Sequence, residues 1–195
     1  MAPKERPGSP RVRLFVALEL PDEIVAPLSE WAREAFGDHP DLRLVRPESL
    51  HVTLVFLGYQ FERDVERIAE TVFAEPVPRF ALEAAEAAGV PRGRPRLYAL
   101  NLSDRDEALG RWQAGLSERL QAARFYEPEK RPFWPHVTLA RAKRGRTPRK
   151  LEPPALPGAL RRAFEAARVT LFRSTLHPGG AVYEPLARGK QTAVH

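Results

Sequence analysis

His51-Val52-Thr53-Leu54 recurs, letter for letter, as His136-Val137-Thr138-Leu139, 85 residues further on in a chain of 195. At ordinary residue frequencies, a second His followed by the same triplet arises by chance in roughly a few chains per thousand of this length. The surroundings repeat as well. An apolar run from Arg13 to Leu20 precedes the first copy, and Arg96 to Leu102 precedes the second. A helical pattern follows each run: Ile24, Leu28, Trp31, Ala32 and Ala35 in one case, Leu109, Trp112, Leu116 and Leu120 in the other. Those spacings put Trp31 and Trp112 on inward helix faces, as core rather than as stacking platforms. The unit reads strand, helix, short strand, His strand, twice over. Two long copies do not make a solenoid, so the expectation is a pseudo-two-fold pair of lobes.

The remaining chain fits around these units. Gly58 is expected to end the first His strand, and a helix to run from Phe61 to Ala74. Phe80 to Val90 is Ala-rich but lies between breakers and alternates at Phe80 and Leu82, which favours a strand. Asp104 is placed to cap a helix from Arg105 to Ala123. Ala166 to Leu176 and Val182 to Leu186 read as a hairpin about Pro178-Gly179-Gly180. This hairpin pairs by spacing with Phe80 to Leu102, Tyr98 matching Tyr183. Residues 1–10 read as a disordered polar leader, 11–188 as one domain of two interleaved lobes, and 189–195 as a frayed tail.

Composition narrows the function. The chain has no Cys, which removes disulfides, a thiolate nucleophile and Cys-ligated zinc. No apolar run is long enough to span a membrane, and a monomer in the cytoplasm is expected. The net charge of +6 favours anionic partners, nucleic acid first. A dense basic stretch, Arg141 to Lys150, is either a solvated loop or a means of steering a polyanion.

Side chains alternate along a strand, so His51 and Thr53 share a face, and so do His136 and Thr138. If the strands meet across a cleft, the site holds two imidazoles and two hydroxyls. That is a poor donor set for a metal, and no Gly-x-Ser-x-Gly elbow is present; no cofactor is expected. The set suits acid-base displacement at phosphorus. One neutral imidazole takes a proton from water and an imidazolium gives one to the leaving oxygen. The Thr hydroxyls hold non-bridging oxygens. A strained ribose 2′,3′-cyclic phosphate needs no metal. Phe15, Phe56, Tyr126, Phe133 and Trp134 are candidates either to stack a base or to fill the core.

These residues are recognisable. Arg13-Leu14-Phe15-Val16-Ala17-Leu18, Pro47 to Gly58 and Phe133 to Arg141 resemble the 2H phosphoesterase family. Within it the chain is most similar to the bacterial and archaeal RNA 2′,3′-cyclic phosphodiesterases, once called 2′-5′ RNA ligases. Ser174-Thr175-Leu176, the Gly pair and Tyr183 resemble the family's terminal hairpin. The resemblance implies an α+β, bilobal fold with two antiparallel sheets lining a central cleft and helices outside. It implies hydrolysis of RNA 2′,3′-cyclic phosphate ends to 2′-phosphates, with reversible 2′-5′ joining of tRNA halves as a side activity. Carried over by position, His51 is the proton donor, His136 the proton acceptor, and Thr53 and Thr138 hold the phosphate. Arg141, five residues past the second His, would clamp phosphate; Phe56, Phe133 and Tyr126 would contact substrate. Strict alternation points Arg141 away from His136, so a bulge or strand end must turn it. Two other readings remain: an RNA-end-binding module without turnover, and a phosphodiesterase acting on a small nucleotide such as ADP-ribose 1″,2″-cyclic phosphate.

Overall fold

The two His strands lie side by side at the centre of the molecule. The computed structural model describes residues 10–166 and 168–189. The leader and the tail expected at the ends lie, but for Pro10 and Gly189, outside the described residues. In chain order the elements are β1 (Arg11–Glu19), α1 (Asp22–Phe36), β2 (Leu42–Leu44), β3 (His51–Phe61), α2 (Val65–Val72), β4 (Phe80–Val90), β5 (Leu97–Ser103), α3 (Ala108–Ala122), β6 (His136–Ala142), β7 (Ala163–Ala166), β8 (Arg168–His177) and β9 (Gly180–Arg188).

The strand order is β7-β4-β5-β6-β3-β1-β8-β9, with β2 added on β6. It reads alike outward from the β6–β3 seam. One lobe is β3, β1, β8, β9 and the other β6, β5, β4, β7. The two antiparallel sheets of the expected bilobal architecture join at a single residue pair, Val52 opposite Val137. The lobes also exchange elements. β2, from the first unit, pairs with β6 of the second. Phe36 at the end of α1 packs on Tyr98 of β5, ring centroids 4.8 Å apart. Gln113 of α3 donates to the Leu54 carbonyl of β3 at 3.1 Å. Apolar side chains from both units therefore share one core, in which Leu14, Val52, Leu100 and Val137 are almost wholly buried. Removal of this surface from water is the main stabilising term.

The helices form where apolar positions recur every three or four residues. Ile24, Leu28, Trp31, Ala32 and Phe36 are the buried face of α1, so Phe36 rather than Ala35 closes that stripe. Asp22 and Glu23 in its first turn complement the helix dipole. Leu109, Trp112, Leu116 and Leu120 are the buried face of α3. That helix starts at Ala108 rather than Arg105, because residues 104–107 form a turn. Asp104 still acts at its entrance, accepting from the Gly110 amide at 2.8 Å. Phe80–Val90 is a strand as expected.

Two further expectations are corrected. Gly58 does not end β3. Leu57 is an extra residue between the pairs Phe15–Phe56 and Leu14–Gly58, and Gly58 takes φ +67° at this bulge. Glycine tolerates that conformation without steric cost, so β3 continues to Phe61 and α2 begins only at Val65. The match of Tyr98 to Tyr183 also fails. The sheet order makes β5 the counterpart of β1, not of β9. Tyr98 is fully buried under α1, whereas Tyr183 on β9 reaches the seam. Among the described residues, no helix is long and apolar enough to cross a membrane.

Candidate active site

Antiparallel pairing of Val52 with Val137 sets the site. Extended one residue either way, this register puts His51 across from Thr138 and Thr53 across from His136. Val52 and Val137 point into the core, both fully buried; the four polar side chains take the opposite face. His51 and His136 are then diagonal neighbours, which in an antiparallel pair brings Cβ atoms to within roughly 7–8 Å.

Both imidazoles are held in the same way. His51 Nδ1 is 2.7 Å from the Ser49 carbonyl oxygen, and His136 Nδ1 is 2.8 Å from that of Trp134. In each case the carbonyl belongs to the residue two positions earlier. A carbonyl only accepts, so Nδ1 carries the hydrogen and Nε2 is left to the cleft. His51 Nε2 lies 3.1 Å from Thr53 Oγ1. Phe15 and Tyr183 enclose the His51 ring at centroid distances of 5.0 and 5.3 Å. His136 is more open and lies flat on Trp134, 3.8 Å between centroids. The Trp134 indole is itself fixed, donating to Asn101 Oδ1 at 2.9 Å.

Neither imidazole is easily protonated in the free protein. Burial pushes His51 down to about 4, opposed by its backbone hydrogen bond and aided by the charge of Arg141. Burial lowers His136 too, again with Arg141 adding to the effect. A carboxylate would counter this, but Glu19, paired across from His51, is taken up by Thr170, Arg168 and Arg188. Arg141 is itself lowered by desolvation in the cleft, with Arg43 and Arg13 contributing, yet a guanidinium stays charged at any working pH.

The bulge demanded by Arg141 exists. Thr138 pairs with Ala99 and Ala140 with Tyr98, which leaves Leu139 as an extra residue. The first copy has the same defect at Leu54, between the pairs Ala17–Thr53 and Val16–Val55. Each bulged residue offers its carbonyl to the other unit: Leu54 accepts from Gln113, Leu139 from the Val45 amide at 2.8 Å. The phase change turns the residue five positions past each His onto the cleft side. In the second copy that residue is Arg141, which donates to Thr138 Oγ1 at 3.4 Å. In the first it is Phe56, 39% exposed, with the Arg13 guanidinium 4.5 Å above its ring.

Two cavities extend the site. One, of about 470 Å³, is lined by Phe56, Tyr126, Phe133, Trp134, His136 and Thr53 among others. It gathers all three aromatic contact candidates beside one imidazole. Phe15, 3% exposed, belongs instead to the wall behind His51. The other, of about 290 Å³, is lined by Arg13, Arg43, Arg46, Arg141, Ser49 and Tyr183 among others. Sequence reasoning did not single out Arg13, Arg43 or Arg46, nor Tyr183 as a neighbour of His51. Nothing local marks them; only register and hairpin closure bring them together. The basic stretch after Arg141 is partly tied down: Lys143 donates to the Pro40 carbonyl at 2.6 Å and Arg146 lies 3.7 Å from Asp41.

The family known as LigT-like phosphoesterases matches residues 18–97 and 102–183, which span both His-x-Thr strands. The chain belongs to this family. A Thermus thermophilus protein named RNA 2′,3′-cyclic phosphodiesterase is 32% identical over 199 aligned positions, covering 91% of this chain and 89% of the relative. An Escherichia coli protein of the same name is 30% identical over 178 residues, covering 90% and 94%. Among solved structures, one from Thermus thermophilus superimposes with a TM-score of 0.76 at 29% identity, covering 91% of this chain and 96% of that one. Escherichia coli LigT complexed with 3′-AMP gives 0.75 at 27% identity, covering 94% and 100%. These LigT-like structures carry the pseudo-duplicated fold described above.

Proposed function

We propose that this LigT-like protein hydrolyses the 2′,3′-cyclic phosphate at an RNA 3′ end to a 2′-phosphate by paired-histidine acid-base catalysis. The matched Nδ1-to-carbonyl bonds carry the reading. They leave Nε2 of both imidazoles to one cleft, that of His51 3.1 Å from the Thr53 hydroxyl. The names of the relatives support the substrate class, and the net charge of +6 suits a polyanion.

In this reading His136, the more open imidazole, takes the proton of an attacking water at Nε2. The water oxygen bonds to phosphorus as the P–O3′ bond breaks. His51, screened by Phe15 and Tyr183, gives its Nε2 proton to O3′. The products are a 2′-phosphate and a 3′-hydroxyl. Thr53, Thr138 and Arg141 hold the non-bridging oxygens, where charge grows in the transition state. The aromatic cavity takes the base. A 5′-hydroxyl in place of water gives 2′-5′ joining, as of tRNA halves, by the same steps. No metal ion takes part, and the working unit is a monomer in the cytoplasm.

Kinetics on uridine 2′,3′-cyclic phosphate with excess chelator test this. His51→Ala and His136→Ala should each lose about 10²–10⁴-fold in kcat or more. Near-parental turnover by either variant, or abolition by chelator in the parent, would overturn it. Tight binding of cyclic-phosphate ends without product would point to the end-binding module instead.

A further inference from the structure

Arg43 and Arg141 sit directly opposite each other on β2 and β6. Like charges so placed repel. Arg13 and Arg46 line the same cavity of about 290 Å³. Arg46 has a carboxylate, Glu48, at 3.2 Å. Among the described residues the other three have none within 4 Å. Arg13 donates to Ser174 Oγ at 2.7 Å, Arg43 to the Pro178 carbonyl at 3.5 Å and Arg141 to Thr138. Some arginines elsewhere are neutralised by acids, Arg79, Arg105, Arg119 and Arg173 among them. Three unneutralised guanidiniums around one hollow lack an anion.

The hollow is continuous with the histidine centre. Ser49 lines it and accepts from His51; Tyr183 lines it and touches the His51 ring; Arg141 lines it and reaches Thr138. One phosphate at the imidazoles can engage Arg141, which leaves Arg13, Arg43 and Arg46 of the same hollow to hold another anion. The β8–β9 hairpin closes the hollow's outer end. Pro178 and Ala181 accept from Arg43 and Arg46, and a side chain at Gly180 would come within 3.3 Å of the Arg43 guanidinium.

We infer that this cavity binds a second phosphate: the one on the 5′ side of the terminal nucleotide, one backbone unit upstream of the cyclic phosphate. The inference rests on the cyclic phosphodiesterase reading. A terminal ribose has three branches: a base at C1′, the cyclic phosphate at C2′ and C3′, and the chain at C5′. The cleft has three matching regions. The imidazole–Thr face takes the cyclic phosphate, the aromatic cavity the base, and the arginine cavity the remaining branch. Arg13, Arg43 and Arg46 thus make the protein prefer an RNA end to a lone cyclic nucleotide.

The test compares kcat/KM on three substrates at fixed salt: uridine 2′,3′-cyclic phosphate, the same nucleotide carrying a 5′-phosphate, and UpU ending in a 2′,3′-cyclic phosphate. The second and third should each exceed the first by on the order of tenfold, as charge-assisted contacts do. Arg43→Gln with Arg46→Gln should bring both ratios towards one. It should also flatten the salt dependence on UpU by about 0.7 per lost contact in log–log slope. Each ratio is internal to one preparation, so a partly misfolded variant does not mimic the result. Arg43→Lys with Arg46→Lys should restore part of the preference. Parental ratios near one, ratios untouched by the Gln changes, or a preference for UpU without one for the 5′-phosphate would overturn the inference. The last result would mean that the second nucleoside is recognised. Absence of turnover on all three would instead overturn the phosphodiesterase reading, and this inference with it.

Discussion

If burial keeps both imidazoles neutral in the free protein, the bound phosphate must supply the charge that protonates one of them. The perturbation is pH. His51 is lowered to about 4 and His136 lies below 6.5. At pH 7, about one free molecule in a thousand then carries a proton on His51. A phosphate monoanion about 4 Å from the ring, at an effective dielectric near 20, contributes about 4 kcal/mol. That equals about 3 pKa units, enough to offset the burial and bring His51 in the complex close to neutrality. The profile of kcat/KM reports the free protein and that of kcat the complex. The alkaline limb of kcat/KM should therefore fall below pH 6.5, and that of kcat about 2 to 3 units higher than the free value of His51. Steady-state rates on uridine 2′,3′-cyclic phosphate from pH 4 to 9 at constant ionic strength measure both. NMR titration of the His51 ring without ligand gives the free value directly. Coincident limbs at or above pH 6.5, or a free His51 titrating at its ordinary value, would refute the reasoning.

Thr53→Val and Thr138→Val keep the β-branched shape that suits a strand and each remove one hydroxyl proposed to hold the phosphate. Single-turnover rates should fall about 10²-fold; a change under about threefold would take the hydroxyls away from the phosphate. Arg141→Lys keeps the charge but loses the planar fork, so kcat should drop by about tenfold and Arg141→Gln should be worse. The same His51 shift couples to stability. The unfolded chain takes up a proton between its ordinary value of 6.5 and the folded value of about 4, and the folded one does not. Stability should be flat from this group above pH 6.5 and decline by about 3 kcal/mol as pH falls to about 4. Urea denaturation at pH 7 and at pH 4.5 should show a smaller loss for His51→Gln than for the parent.

Much of the site is legible without coordinates. The identical tetrapeptides and the two-residue period of a strand put His51 with Thr53 and His136 with Thr138. The helix stripes place Trp31 and Trp112 inside, where they are. The requirement that something turn Arg141 is also legible, though not its agent. The errors share one cause. Gly58 reads as a stop because a glycine looks the same in sequence whether it ends a strand or takes the φ +67° corner of a bulge. Tyr98 matches Tyr183 by spacing, yet spacing does not say which strand a hairpin pairs with next.

Sequence alone determined which polar groups share a strand face and which apolar ones a helix face, because alternation and helical period are local and need only neighbours in the chain. Tertiary structure decided where they point and what surrounds them. Val52 facing Val137 aligns the two His strands. Carbonyl partners from distant segments, Gln113 for Leu54 and Val45 for Leu139, accompany the twin bulges that turn Phe56 and Arg141 inward. β2 crossing to β6 sets Arg43 against Arg141. Each of these depends on pairing between residues far apart in the chain, and register of that kind is chosen by the packing of the whole core rather than by any single stretch.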